Sequence, residues 1–335
     1  MLARYDLQPA EVLPAGGTAG ATWKVRVPPA SYFVRRRGRR TATEERTRFD
    51  LGLRHFLAER GFPTERPVRS ASGDDHVRLG REVFEVYRWV DGELLPPHRR
   101  AEARGPVARL LASFHALAAT YPGRCERVVP QFALHARPGP GSAHFDDPGV
   151  QAQVLEHVRA GERDHVAAQR LDRALGLVRW LASSYGPILA GLPLHTIHGD
   201  FTSANVLFAP SGKIAGLFDF DWAWRDTRVR DVADGALFFG AEQPVGLDPS
   251  DIWSLTSCPQ LDTGQMAEFI EAYGRQMPLS RAERRAVPLA ILARWVSMRL
   301  ENAPKVPPAR RTEFILREFA APFEWYEAEA RGLAS

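Results

Sequence analysis

The sequence predicts an α+β chain in two parts. A small antiparallel sheet with one inserted helix comes first, and a larger, mainly helical part carrying one short β hairpin follows. Three observations carry this reading. The first ninety residues hold short alternating runs of β-branched and aromatic residues. Most later runs have helical periodicity, and one β-like island, from Thr196 to Ala223, interrupts them. The character changes after "DGELLPP", which sets the parts at 1–91 and 92–335.

"ATWKVRV" and "SYFVRR" are strand-like and joined by "PPA", as in a hairpin. "TEERTRFDLGLRHFLAERG" places Phe49, Leu53, Phe56 and Leu57 on one helical stripe, closed by Gly61. "HVRLGREVFEVYRWV" returns to strands about a tight turn at Gly80. Beyond the boundary, "RGPVARLLASFHALAA", "AAQRLDRALGLVRWLASSYGPIL", "QMAEFIEAYGRQM", "RAERRAVPLAILARWVSMRL" and "RRTEFILREFAAPFEWYEAEA" read as helices. "HARPGPGSAHFDDPG" reads as a long surface loop. In the island, "NVLFA" and "KIAGLFDF" read as two strands around "PSG".

Composition sets limits on function. At 335 residues the chain has the apolar and charged fractions of an ordinary globular protein. The start, "MLARYDLQPAEVL", has no apolar signal region, and no run is long and apolar enough to span a bilayer, so no membrane association is expected. Cys125 and Cys258 give no disulfide framework and no metal-binding pair, which makes a reducing cytoplasm the expected setting. Lysine occurs only at 24, 213 and 305, so a phosphate-gripping lysine has few places to be. "VRRRGRR" reads as a strand end with solvated arginines, one of which could face a nucleotide. It lacks the aromatic platform of a nucleic-acid site, and no nucleic-acid partner is expected.

The island carries the chemistry. In "LHTIHGDFTSANVLF", Asp200 precedes Asn205 by five positions, and Asp219 follows one hairpin later. A carboxylate that receives a hydroxyl proton, with amide and carboxylate oxygens for Mg²⁺, is the set that phosphoryl transfer needs. His195 and His198 lack the further matched ligands of a zinc site. His115, on an apolar helical face, reads as a buried core histidine.

"HGDFTSANVLF" and "GLFDFDWAWRDTRVRDVA" together resemble the aminoglycoside phosphotransferase family, whose wider relatives include choline, homoserine and methylthioribose kinases. The matching positions are His198, Gly199, Asp200, Asn205, Asp219, Asp221 and Asp231. The resemblance extends over roughly residues 10 to 300 and implies a protein-kinase-like two-lobed α+β fold. It implies Asp200 as catalytic base, Asn205 and Asp219 as Mg²⁺ ligands, and His198 and Asp231 as orienting residues. Asp221 stays open between a ligand and a capping role. In the N-terminal part the resemblance implies Arg35 in place of the phosphate-binding lysine, able to take phosphate oxygens bidentately. Asp50 would pair with it, with Glu45 as substitute. Gly16, Gly17 and Gly20 would form the nucleotide-covering loop, and main chain from Glu85 to Trp89, including Tyr87, would meet the base.

The expected activity is transfer of the γ-phosphoryl group of ATP or GTP to a hydroxyl of a small molecule, in a monomer or homodimer. The acceptor could be an antibiotic or other natural product, for resistance or biosynthesis. A metabolic kinase of homoserine, choline or sugar type is an alternative, as is a nucleotide-binding pseudokinase. From Asp251 to Ser335 eleven acidic residues stand against eleven Lys and Arg, so no acidic bias marks the second part for a polycation.

Overall fold

The computed structural model describes residues 1–15, 21–38, 41–95, 100–124, 147–242, 251–330 and 333. Gly16, Gly17 and Gly20 lie outside these residues, as do Arg39, Arg40 and most of the loop expected around 135–149. The chain divides into two compact units. The first comprises Met1–Pro96, Ser113–Val128 and His195–Arg225; the second comprises Pro97–Ala112, Val129–Leu194 and Asp226–Ser335.

In the first unit, strands β1 (Glu11–Pro14), β2 (Thr22–Val27), β3 (Ala30–Arg36), β4 (Val77–Leu79) and β5 (Glu82–Arg88) form one antiparallel sheet in the order β1-β2-β3-β5-β4. Helix α1 (Glu44–Glu59) is inserted between β3 and β4. Thr43 caps its N-terminus by accepting from Arg46 N, and Phe49, Leu53 and Leu57 of the expected stripe are buried. The alternation along β3 and β5 sorts the sheet into two faces. Val34 and Val86 join Tyr5, Val25 and Tyr32 in an apolar cluster. Phe33, Arg35, Glu85 and Tyr87 point the other way, and the site forms on that face.

The island adds β7 (His195–Ile197), β8 (Val206–Phe208), β9 (Ile214–Leu217) and β10 (Trp224–Asp226). β8 and β9 form the expected hairpin, extended by the two-residue β6 (Glu93–Leu94), while β7 pairs with β10.

The second unit is helical. Helix α2 (Arg100–Ala118) enters it, and α3 (Pro148–Gly161), α4 (His165–Leu189), α5 (Val229–Gly235), α6 (Ile252–Leu255), α7 (Thr263–Gly274), α8 (Arg281–Asn302), α9 (Arg311–Leu316) and α10 (Ala321–Ala328) complete it. Its core includes Leu171, Val178, Phe269, Ile291, Trp295 and Val296. A capping box at Ser280 and Glu283 starts α8, and Glu283 also holds the buried Arg228 at 2.6 Å.

Two expectations are corrected here. The C-terminal periodic run is two helices, broken where Glu318 takes a left-handed conformation (φ 52) and Pro322 starts the next. Helix α3 was not anticipated; its signal is Asp147 before Pro148, a capping residue followed by proline at the first helical position. Among the described residues no helix is long and apolar enough to cross a membrane.

Candidate active site

The loop after β7 is organised around His198. Its ring is fully buried among Phe114, Phe201 and Phe220, with the Phe220 centroid 4.8 Å away. Nε2 lies 2.9 Å from the carbonyl of Phe218, which can only accept, so Nε2 carries the hydrogen. Nδ1 accepts from the main-chain N–H of Asp200 at 3.3 Å. One side chain thus ties the loop residue Asp200 to the residue just before Asp219. Phe218 is held from its other side as well, because its N–H donates to Asn205 O at 2.9 Å. His198 thereby bridges the loop and the residue that precedes Asp219.

Asn205 follows on a short 3₁₀ turn, Ser203–Asn205, and is 9% exposed. Its Nδ2 donates to Asp200 O at 2.8 Å and to Asp200 Oδ2 at 3.1 Å. Fixing Oδ2 fixes the direction of the carboxylate, and leaves Oδ1 of Asn205 as that amide's acceptor atom. Asp219 sits two residues after the end of β9 in a left-handed conformation (φ 60, ψ 68), uncommon for a residue with a Cβ. Its carboxylate is 39% exposed and lies 3.4 Å from Arg35 Nη1.

Behind Asp219 lies a buried ion network within the first unit. Arg35 Nε meets Glu85 Oε2 at 2.5 Å, and Nη2 meets Asp221 Oδ1 at 2.5 Å, with Asp50 at 3.6 Å. Arg37 contacts Glu85 at 2.6 Å, Asp50 at 2.7 Å and Asp221 at 3.2 Å. Arg54, one turn after Asp50 on α1, bonds it at 2.7 Å and also pairs with Glu65. Tyr87 donates to Glu85 Oε2 at 2.7 Å, and Arg46 Nη2 donates to the main-chain carbonyl of Asp221 at 2.5 Å.

Burial opposes every charge in this network, and the opposite charges outweigh it at most positions. Arg54, Arg37 and Arg35 hold Asp50 well below the usual carboxylate range. Arg35 and Arg37 bring Glu85 down to about 2, and they also lower Asp221. Asp219 moves the other way: burial and the neighbouring Asp221 raise it, against the pull of Arg35. A lowered folded value means Glu85 contributes stability that is complete above its unfolded value of 4.5 and lost as pH falls toward 2. Urea unfolding followed from about pH 6 to about pH 2 should therefore show stability falling through this window. A flat profile would contradict the network.

A matching sequence model now decides the family: that of the APH phosphotransferase enzyme family spans residues 11–289. The chain belongs to this phosphotransferase enzyme family. Homoserine kinase of Caulobacter vibrioides is 26% identical over 291 residues, covering 85% of this chain and 78% of that protein. An aminoglycoside phosphotransferase from Alicyclobacillus acidocaldarius subsp. acidocaldarius shares the fold at TM-score 0.66 and 18% identity, covering 99% of this chain and 93% of that one. An amicoumacin kinase in complex with AMP-PNP, Ca²⁺ and Ami aligns at TM-score 0.62 and 16% identity, over 96% and 90% of the two chains. The protein-kinase-like α+β fold and the small-molecule O-phosphotransferase class follow from these matches.

Within this phosphotransferase the structure brings together Arg35, Asp50, Glu85, Tyr87, Asp219 and Asp221 on one side, and His198, Asp200 and Asn205 on the other, joined through Phe218. Asp231 is fully buried on α5 of the second unit. Asp221 has its Oδ1 against Arg35 and Arg37, and its Oδ2 accepts from Thr41 Oγ1 at 3.1 Å. Glu45 is exposed, and Asp50 takes the inward position.

Two details differ from the expected geometry. Arg35 cannot offer a bidentate edge, because Nε and Nη2 are engaged by Glu85 and Asp221; Nη1 is the donor that faces Asp219. The β5 main chain is also committed. Bonds from Arg37 N to Val83 O and from Trp89 N to Ser31 O fix 35:85 and 33:87 as the hydrogen-bonded pairs with β3. Val68 N meets Val86 O at 2.8 Å, and Arg88 N meets Arg66 O at 3.4 Å, on the opposite edge. Glu85 and Tyr87 thus turn their side chains into the network and their main chain into the ladder.

Sequence reasoning missed Arg37, Arg54 and Glu65. "VRRRGRR" held the signal for Arg37: alternation that buries Arg35 and sends Arg36 out to Glu82 at 3.1 Å returns Arg37 to the interior. With Arg35 and Arg37 buried, this segment offers no basic nucleic-acid face from those two residues.

Proposed function

We propose that this phosphotransferase moves the γ-phosphoryl group of ATP or GTP to a hydroxyl of a small molecule, with Mg²⁺. The observation that carries the reading is the hydrogen-bonded chain Asp200–His198–Phe218, with Asn205 bonded to both ends, which fixes Asp200 and Asp219 relative to each other. Asp200 orients the acceptor hydroxyl and takes its proton as the oxygen attacks phosphorus. The electrons of the cleaved P–O bond leave on the nucleoside diphosphate. Most of the acceleration comes from positioning and charge complementarity.

The donor set fits Mg²⁺. Asn205 Oδ1 and the Asp219 carboxylate are hard oxygens, and Asp219 is a carboxylate crowded by Asp221 and Asp200 with incomplete counter-charge. Mg²⁺ usually takes only one or two protein ligands and keeps several waters. When bound, Mg²⁺ supplies positive charge against the phosphate oxygens. Arg35 adds one donor, Nη1, on the same side. The base would be met by the chain beyond Trp89, residues 90–92, after the β5 ladder ends. The lobe division at 91/92, a cytoplasmic setting and a monomeric or homodimeric state belong to the same proposal.

For the acceptor, the curated relatives favour a small hydroxyl compound that also carries an amine, since the Caulobacter vibrioides protein is a homoserine kinase. The amicoumacin kinase and aminoglycoside phosphotransferase neighbours support an antibiotic acceptor as the second reading, with resistance as its role. The metal assignment is tested by Asp219→Asn. The Mg²⁺ concentration for half-maximal turnover should rise by at least about tenfold, a loss that outer-shell changes alone can cause. An unchanged Mg²⁺ response would remove Asp219 from the site.

A further inference from the structure

The Arg37 side chain is 0% exposed, and the reaction as proposed gives it no task. We propose that Arg37 is a positioning residue for phosphoryl transfer, acting through Glu85, Asp50 and Asp221 to hold Arg35 and Asp219 in register. This rests on the nucleotide- and Mg²⁺-dependent reading above.

The geometry is specific. Arg37 meets carboxylates on three separate elements: it donates to Glu85 on β5 and makes ion-pair contacts with Asp50 on α1 and Asp221 in the turn after β9. Its Nε is fixed by the main-chain carbonyl of Thr41 at 2.8 Å. Arg35 uses the same three carboxylates, and the two arginines divide Glu85 between them: Oε1 goes to Arg37 and Oε2 to Arg35. With both oxygens held, Glu85 cannot turn, and the direction of Arg35 Nε is set. Asp221 Oδ1 sets Nη2 of Arg35 in the same way. The guanidinium is planar, so fixing two nitrogens fixes the third. That third nitrogen, Nη1, is the one facing Asp219.

Removing Arg37 would leave Asp50, Glu85 and Asp221 to be shared by Arg35 and Arg54. Buried carboxylates do not tolerate lost partners, so Arg35 would be drawn inward and away from Asp219. Lysine keeps the charge but is a compact ammonium that cannot span three carboxylates and a carbonyl with fixed geometry. Thr41→Val is a gentler probe: it removes the hydroxyl on Asp221 Oδ2 and leaves the carbonyl that holds Arg37.

The test uses the full chain and calorimetric titration of ADP at a series of Mg²⁺ concentrations, with thermal unfolding measured in parallel. In Arg37→Lys the Mg²⁺ concentration for half-maximal ADP binding should rise by about tenfold, as for changes behind a metal ligand. ADP affinity without Mg²⁺ should fall by less than the Mg²⁺ response shifts, because only the single Arg35 Nη1 donor is disturbed there. Thr41→Val should move the Mg²⁺ response in the same direction by less, and it carries the test if Arg37→Lys does not fold. A lowered melting temperature with a wild-type Mg²⁺ response in the folded variants would reduce Arg37 to a structural role and overturn the proposal. Wild type that binds no ADP would overturn the functional reading first, and this inference with it.

Discussion

Asp200→Asn is expected to lower phosphoryl transfer by roughly 10²- to 10⁴-fold, the range that a positioned general base supplies, while nucleotide binding and stability stay near wild type. The substitution is close to isosteric, and the loop has other anchors. Asp200 N still donates to His198, and Asp200 O still accepts from Asn205 at 2.8 Å. The new amide oxygen can replace Oδ2 as acceptor for Asn205 Nδ2. What disappears is the ability to take the hydroxyl proton. The loss should therefore fall on kcat, with little change in the KM for nucleotide. Steady-state kinetics with an identified acceptor reads the split, and an equal rise in KM at unchanged kcat would assign Asp200 to binding.

Gly199→Ala is expected to be more damaging to the molecule as a whole. Gly199 has φ +78, and a Cβ there would lie 2.2 Å from the main-chain oxygen of Trp222. Backbone cannot swing away as a flexible side chain can, so either the loop at 198–200 or the segment at 221–223 must move. Both carry site residues. The left-handed backbone alone costs about 1–3 kcal/mol for a residue with a Cβ. A displacement of about 1 Å in the loop can cost on the order of 10²-fold in rate. Gly80→Ala is the matched control: φ is +59, but nothing lies within 4 Å of its added Cβ. It should show backbone strain in urea unfolding and retain activity. Equal losses in the two variants would mean that the close approach to Trp222 does not matter.

The parts of the site legible in sequence are those fixed by short-range geometry. Asp200 and Asn205 belong to one turn, where spacing along the chain sets spacing in space, and Asp219 is reached by one hairpin whose register is visible in "NVLFA" and "KIAGLFDF". Arg35 is legible only through the resemblance, which puts it at the strand position of the family's phosphate-binding lysine. Which residues meet it there is not legible. Asp50 and Arg54 come from α1, Glu85 from β5 and Asp221 from beyond β9, and only the packing of these elements makes their charges neighbours. An arginine-rich run reads as solvated unless its buried counter-charges are known. The sequence alone therefore reads Arg37 as surface and leaves Asp221 open. Likewise, "RRTEFILREFAAPFEWYEAEA" keeps helical periodicity across the break at Glu318, where left-handed backbone at a glutamate leaves no compositional mark.

The central claim is that Asp200, Asn205 and Asp219 form a Mg²⁺-dependent site for phosphorylating a small-molecule hydroxyl. The direct measurement is nucleoside diphosphate release from ATP and GTP across a panel of hydroxyl compounds led by homoserine, amino alcohols and an aminoglycoside, with the phosphorylated product identified by mass spectrometry. Wild type should turn over at least one acceptor in the presence of Mg²⁺, yield an O-phosphorylated product, and lose both on Asp200→Asn. Nucleotide binding without turnover of any acceptor, or a product yield that Asp200→Asn leaves unchanged, would contradict the account.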